Sequence, residues 1–135
     1  MAEQIDKFYV SLRAKLGEVE DRMGALKSKI GSKAEQAEKD IRHQLDKMHK
    51  HIEQQRAKIS SAQAEVKRWA EERKAATDEK IAEWKAKREA GKLKSRAENA
   101  ERYAAAAADV ALAAVEEAEE AALEAWLARK DASAA

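Results

Sequence analysis

The chain has 135 residues and a net charge of +1, with no proline, no cysteine and only four glycines. Charged residues make up 39% of the sequence and aromatic residues 4%. Because proline and glycine mark turns and loops, this composition predicts a nearly all-helical protein and argues against a globular α/β enzyme.

The charge is distributed unevenly along the chain. Residues 97–135 carry a net charge of −6, whereas the residues before them carry +7. Opposite charge at the two ends favours antiparallel folding or head-to-tail association, and the near-neutral total gives little general affinity for nucleic acid.

Three features predict a cytoplasmic protein. The chain cannot form a disulfide, and its first residues, MAEQIDKFYV, lack the apolar core of a secretory signal peptide. No stretch approaches the roughly 20 apolar residues that a membrane-spanning helix needs.

Apolar residues recur at every third or fourth position through the first half of the chain. This spacing is typical of a helix that buries one stripe of its surface. A single stripe cannot offset the entropy cost of ordering a lone helix, so we expect it to pack against another helix or a second copy. The predicted packing seam consists of Ile5, Leu12, Leu16, Val19, Met23, Leu26, Ile30, Ile41, Leu45, Met48, Ile52, Ile59, Val66 and Trp69.

Residues 3–30 are predicted to form the first helix, and two interpretations remain open at its end. Gly31 followed by the capping-box pattern Ser32 to Glu35 favours a turn at 31–32. The apolar steps, however, keep their phase across this point, which favours a continuous helix. Gly17, Gly24 and Gly31 are spaced seven apart, which either forms a smooth strip for a close helix contact or reflects chance.

Two further breaks are predicted in the second half of the chain. Thr77, followed by two acidic residues, is typical of a helix N-cap and indicates a break at 75–77. Gly91 and the capping-box pattern from Ser95 to Glu98 indicate another at 91–95. The sequence therefore predicts one elongated domain over 1–130, a frayed tail over 131–135, and an antiparallel coiled-coil-like hairpin or a three- or four-helix bundle.

Metal binding is considered because carboxylates and imidazoles lie one helical turn apart. Such pairs hold metals inside helix bundles when several helices contribute. If Leu45 faces the core, however, the histidines point outward or only flank the seam, which is typical of a solvated face. The weak candidates are Asp40, His43, Asp46, His49 and His51.

Charged residues elsewhere are expected to form exposed ion pairs. The acidic run Glu116, Glu117, Glu119, Glu120 and Glu124 is expected to meet the basic stretch 85–96, in the same subunit or another. A mixed basic and aromatic segment gives a weak nucleic-acid signal, which the interleaved glutamates reduce. Its residues are Lys67, Arg68, Trp69, Arg73, Lys74, Lys80, Trp84, Lys85, Lys87 and Arg88.

The sequence contains no cysteine nucleophile and no glycine-rich phosphate loop, so it predicts a protein that is not an enzyme and needs no cofactor. We expect a self-associating helical scaffold or adaptor that forms a homo-oligomer and binds a protein partner. The proline-free composition, rich in Ala, Lys and Glu, also resembles that of phasins and exchangeable apolipoproteins. That resemblance implies the alternative of a reversible coat on a lipid, membrane or storage-granule surface.

Overall fold

The computed structural model of the chain describes residues 2–32 and 38–134, and the side chains of residues 6–28 and 38–134. It contains four helices: α1 (Ala2–Ser32), α2 (Glu38–Ala75), α3 (Asp78–Ala86) and α4 (Ala90–Ala134). These described residues include no β-strand, so the predicted all-α fold class is confirmed. In the same part of the chain, no helix carries an apolar stretch long enough to cross a membrane.

Helix α4 contacts each of the other three helices. The chain runs in opposite directions in α4 and α2, since His49 contacts Glu120 and the later His51 contacts the earlier Glu116. The contacts of α4 with α1 run in the same direction, since Lys15 meets Asp109 and, one heptad further along both helices, Arg22 meets Glu116. Helix α4 is therefore antiparallel to α2 and parallel to α1.

The hydrophobic core is small and lies where the start of α2 meets the end of α4. Ile41 and Leu123 are fully buried, Leu127 is buried beside them, and Leu45 and Trp126 pack against this cluster. Further along α4 the buried positions are mostly alanines, which let neighbouring helices approach closely. The α4 surface is therefore apolar but contributes little side-chain volume to the core.

The helix break predicted at 75–77 lies between α2 and α3. Thr77 is the N-cap of α3, with extended backbone angles, and its Oγ1 accepts a hydrogen bond from the Lys80 amide over 3.3 Å. Asp78 and Glu79 follow in the first turn, where carboxylates favour the positive end of the helix dipole.

The break predicted at 91–95 is wrong in position, because the chain turns at 87–89 and α4 is already helical from Ala90. Arg88 has a left-handed backbone with a φ of 53°. The amide of Arg88 bonds the Lys85 carbonyl, and the amide of Glu89 bonds the Trp84 carbonyl, as in a Schellman C-cap. Arginine at this position gives no sequence signal, because glycine is the usual residue there. The Ser95–Glu98 pattern lies inside α4 and caps nothing.

The two ends of the predicted domain have different outcomes. Helix α1 continues through Gly31 to Ser32, and the remainder of the predicted turn and capping box, 33–37, lies outside the described residues. The frayed tail is wrong for residues 131–134, because α4 continues to Ala134. Asp131 lies 3.8 Å from Arg42 of α2, and Ser133 Oγ donates a hydrogen bond to the Arg129 carbonyl. Both residues of this segment therefore have partners.

Candidate functional site

The exposed face of α1 carries large apolar side chains that the other described residues leave uncovered. Tyr9, Leu16 and Met23 follow one another at heptad spacing and are 57%, 50% and 56% exposed, and the adjacent Val10 is 67% exposed. We call Tyr9, Leu16 and Met23 the α1 apolar line. Leu16 and Met23 are thus exposed in the described part of the chain, and their role as packing-seam residues stays a prediction that concerns a second molecule.

Charged residues take the place of Leu16 and Met23 on the face of α1 that meets α4. The Lys15 Nζ lies 2.9 Å from Asp109 Oδ1, and an Arg22 guanidinium nitrogen lies 4.0 Å from Glu116 Oε1. Residues three and four apart in a helix share a face. Leu12, Val19 and Leu26 therefore lie on the same face as Lys15 and Arg22, and all three are half-buried.

The remaining predicted seam residues lie at several depths. Ile41 is fully buried. The seam side chains from Leu45 to Trp69 on α2 are half-buried, namely Leu45, Met48, Ile52, Ile59, Val66 and Trp69. The side chains of Ile5 and Ile30 lie outside the described residues. Whether the half-buried side chains also pack between chains stays a prediction.

Charges of alternating sign follow the α1 apolar line along one side. Asp6, Arg13, Glu20 and Lys27 are seven residues apart and all exposed. None of the four forms an ion pair with another described residue of the chain. These groups are therefore available to a molecule that docks on this face.

Gly17 and Gly24 each follow a residue of the α1 apolar line. Apart from its chain neighbours and the nearby backbone of its own helix, a Cβ atom built on either glycine meets no atom of the described residues within 4 Å. The fold of the single chain therefore does not require glycine at these positions, although glycine weakens a helix relative to alanine. Gly31, the third glycine of the predicted strip, lies beyond the described side chains.

A histidine cluster links α2 to α4. His51 Nε2 lies 3.1 Å from Glu116 Oε1 and donates to it, since an ionised carboxylate only accepts. Glu116 is only 5% exposed, and Arg22 approaches it from α1, so three helices meet at this carboxylate. The His49 ring faces two other carboxylates, with Nδ1 3.3 Å from Glu120 Oε2 and Nε2 3.5 Å from Glu124 Oε1.

The metal candidates are brought together only in part. His49, Glu120 and Glu124 offer three ligand atoms within 4.8 Å of one another, and no fourth ligand residue of the described chain joins them. Asp40, His43 and Asp46 are exposed and lie outside this group. Each His49 nitrogen faces a carboxylate oxygen, so the observed arrangement is a histidine–carboxylate cluster between α2 and α4. Glutamates of α4, which sequence reasoning assigned to other partners, supply its acidic groups.

The acidic run of α4 does not meet the basic stretch 85–96 within the described chain. Glu116 instead faces Arg22 and His51, and Glu120 and Glu124 both face His49. The prediction is wrong within the subunit because the antiparallel pairing of α2 and α4 places the start of α2, and not the start of α4, beside these glutamates. A heptad count along the sequence cannot reveal this pairing.

The basic and aromatic segment is divided by the fold. Trp69, Arg73, Lys80 and Trp84 line one cleft between the end of α2, α3 and the first turns of α4. The cleft does not include Lys67, Lys74, Lys85, Lys87 or the turn residue Arg88, and Arg68 is paired with Glu72. The segment therefore forms a local pocket, not a continuous basic surface.

Comparisons with known proteins add no family to this description. No protein-family model matches the chain, and neither a curated protein nor a solved structure is significantly similar to it. The proposals that follow therefore depend on the geometry of the molecule itself.

Proposed function

We propose that this protein is a non-catalytic, self-associating helical scaffold of the cytoplasm, and that a second copy docks on the α1 apolar line. The observation that carries the proposal is the exposure of Tyr9, Leu16 and Met23 at heptad spacing. Apolar side chains that recur at heptad spacing and are exposed in the single chain are typical of helices that form coiled-coil contacts. The rest of the molecule, with α4 packed on α2 and α1, presents this line on a long helix.

The charges beside the α1 apolar line support a second copy in antiparallel orientation. If a twofold axis passes between Leu16 and Gly17, Arg13 faces Glu20 of the partner subunit and Asp6 faces Lys27 of the partner subunit. The symmetry repeats each pair, so all four charges of each copy meet an opposite charge. In a parallel twofold arrangement these four charges would lie on opposite sides of the interface, so they would not pair with one another.

The glycines fit the same arrangement. The axis brings Leu16 opposite Gly17 of the partner subunit and Tyr9 opposite Gly24 of the partner subunit. Large side chains then meet positions without a Cβ, where helix axes can approach closely. This arrangement supplies a reason for glycine at two positions where the described residues of the single chain leave space for a Cβ atom.

The first test uses sedimentation velocity across a range of protein concentrations. We expect the wild-type chain to form dimers, and the variant Leu16→Glu with Met23→Glu to stay monomeric, because two carboxylates on the line would be desolvated by docking. A matched control, Ala14→Glu with Ala25→Glu, adds the same charge at exposed positions on the opposite side of α1 and should dimerise like wild type. A wild-type chain that remains monomeric would overturn the proposal.

A charge-reversal series tests the orientation. Arg13→Glu should weaken the dimer, since the new carboxylate would face Glu20 of the partner subunit. Adding Glu20→Arg to the same chain should restore wild-type association. Restoration by the second substitution requires the antiparallel pairing, whereas a double variant weaker than either single variant contradicts it.

The same variants separate the scaffold from the lipid-coat alternative. The α1 apolar line is narrow and is bordered by charge, which suits a helix partner better than a lipid surface. Flotation with anionic vesicles at physiological salt should leave the wild-type protein unbound. If the wild-type protein floats with the vesicles and the variant Leu16→Glu with Met23→Glu does not, the result would instead support a lipid coat.

A further inference from the structure

The turn that joins α2 to α4 creates a cleft of about 570 Å³. Helix α2 ends at Ala75, the short α3 follows, and α4 begins at Ala90, so three helix segments converge within a stretch of chain that reverses direction. The volume lies inside the roughly 300–1,000 Å³ typical of small-molecule sites. The cleft is independent of the α1 apolar line, because none of its lining residues belongs to α1.

Two indole rings and an aliphatic side chain give the cleft its apolar surface. Trp69, Ile81 and Trp84 are all half-buried and all line it. The ring of Trp69 is stacked on Tyr103, with centroids 5.3 Å apart and planes inclined by 16°, which fixes its orientation. Flat indole surfaces favour stacking with another planar aromatic group.

Basic side chains surround this apolar surface. The lining includes four bases, Arg73, Lys80, Lys92 and Arg96, and two acids, Glu72 and Asp78. Glu72 already pairs with Arg68 over 3.1 Å, so its charge is largely balanced from outside the cleft.

Three of the four bases are available to a ligand. Arg73, Lys80 and Arg96 have no ion-pair partner among the described residues, although salt bridges are frequent elsewhere on these helices. Only Lys92 is engaged: it lies 3.4 Å from a Glu89 oxygen and 6.0 Å from the centroid of the Trp84 ring. Asp78 offsets part of this charge, but the bases outnumber the acids in the lining, and net positive charge beside two indoles favours a ligand that is both aromatic and anionic.

We propose that this cleft binds a small planar aromatic anion, with its rings against Trp69 and Trp84 and its carboxylate or sulfonate against Arg73 and Arg96. The inference does not depend on self-association. A guanidinium pairs with an oxyanion through two parallel hydrogen bonds, so the two arginines supply both charge and direction. Lys80, which also lines the cleft, adds a further positive charge.

The test uses two fluorescent probes that share an aromatic body and differ in charge. 8-Anilinonaphthalene-1-sulfonate is anionic, and N-phenyl-1-naphthylamine is its neutral counterpart. The full-length chain should bind one sulfonate probe per molecule and should bind the neutral probe about tenfold more weakly, a factor equivalent to about 1.4 kcal/mol. Equal affinity for the two probes, or binding of several sulfonate molecules per chain, would overturn the proposal.

Variants then place the probe in the cleft. Arg73→Gln with Arg96→Gln should lower affinity for the sulfonate about tenfold and leave the neutral probe unchanged, since only the charge pairing is removed. Trp84→Leu should weaken both probes, because it removes aromatic surface. Lys47→Gln with Lys50→Gln, which removes two exposed charges elsewhere on α2, is the matched control and should bind like wild type.

Two further measurements keep the result interpretable. Circular dichroism should show the same helicity for every variant, which excludes binding of the probe to partly unfolded protein. Sulfonate binding should quench the fluorescence of the cleft tryptophans, and a Trp126→Phe chain, which removes the tryptophan of the core cluster, should retain that quenching. If the variant Arg73→Gln with Arg96→Gln binds the sulfonate probe with wild-type affinity, the two arginines do not hold the anion and the proposed site is contradicted.

Discussion

Helices α1 and α2 both carry an apolar stripe and both contact α4, yet they use their stripes differently. On α2 the stripe faces α4, and Ile41 is fully buried against Leu123. On α1 the stripe is divided: Leu12 and Val19 are half-buried, while Leu16 and Met23 remain exposed. On α1 the residues that face α4 include Lys15 and Arg22, which pair with its carboxylates, while Leu16 and Met23 lie on another side of the helix. An apolar stripe therefore specifies a helix but not the side that its neighbour covers.

The strongest test of this contrast compares two leucines. Leu123→Ala should lower the free energy of unfolding by about 2–3 kcal/mol, since the side chain is fully buried and its removal leaves a cavity. Leu16→Ala should change it by less than about 0.5 kcal/mol in dilute, dissociated protein, since half of that side chain already meets water. Urea denaturation followed by circular dichroism measures both. Equal losses would mean that α1 packs through Leu16 within the chain.

The second test concerns the carboxylate at which three helices meet. His51→Ala should lower the free energy of unfolding by about 1–2 kcal/mol, because buried Glu116 loses its hydrogen-bond donor on α2 and keeps only the more distant Arg22. His43→Ala is the matched control, since His43 is exposed and lies on the same helix. Thermal unfolding should separate the two variants, and equal melting temperatures would show that the His51 contact contributes nothing.

The smallest expected effect tests the open space on α1. Gly24→Ala should raise the free energy of unfolding by about 0.5–1 kcal/mol, because alanine favours the helix and the added methyl group meets no neighbouring helix or side chain among the described residues. Gly24→Leu should leave the single chain folded and weaken the dimer, because a large side chain would hold the helices apart. A Gly24→Leu chain that dimerises like wild type shows that the second copy does not approach this glycine.

Sequence reasoning predicted the fold class and some of the local signals of the helix ends. Thr77 is a helix N-cap because its hydroxyl, followed by two acids, satisfies a free backbone amide, a local interaction that any helix of this sequence would make. The turn at 87–89 was missed, since Arg88 adopts a conformation usually taken by glycine and no residue type marks it. The histidine cluster was found only in part. The imidazoles were noted on α2, but their carboxylate partners lie 65 or more residues away on α4.

The sequence by itself determined that this chain is helical, because helix propensity, the absence of proline and the spacing of apolar residues all act within a few residues of one another. Only the tertiary structure decided which faces are covered. The antiparallel contact of α2 and the parallel contact of α1 with α4 bring distant residues together, as in the ion pair of Lys15 with Asp109. The exposed α1 apolar line and the cleft at Trp69 and Trp84 are consequences of that packing, and no periodicity in one segment can encode them alone.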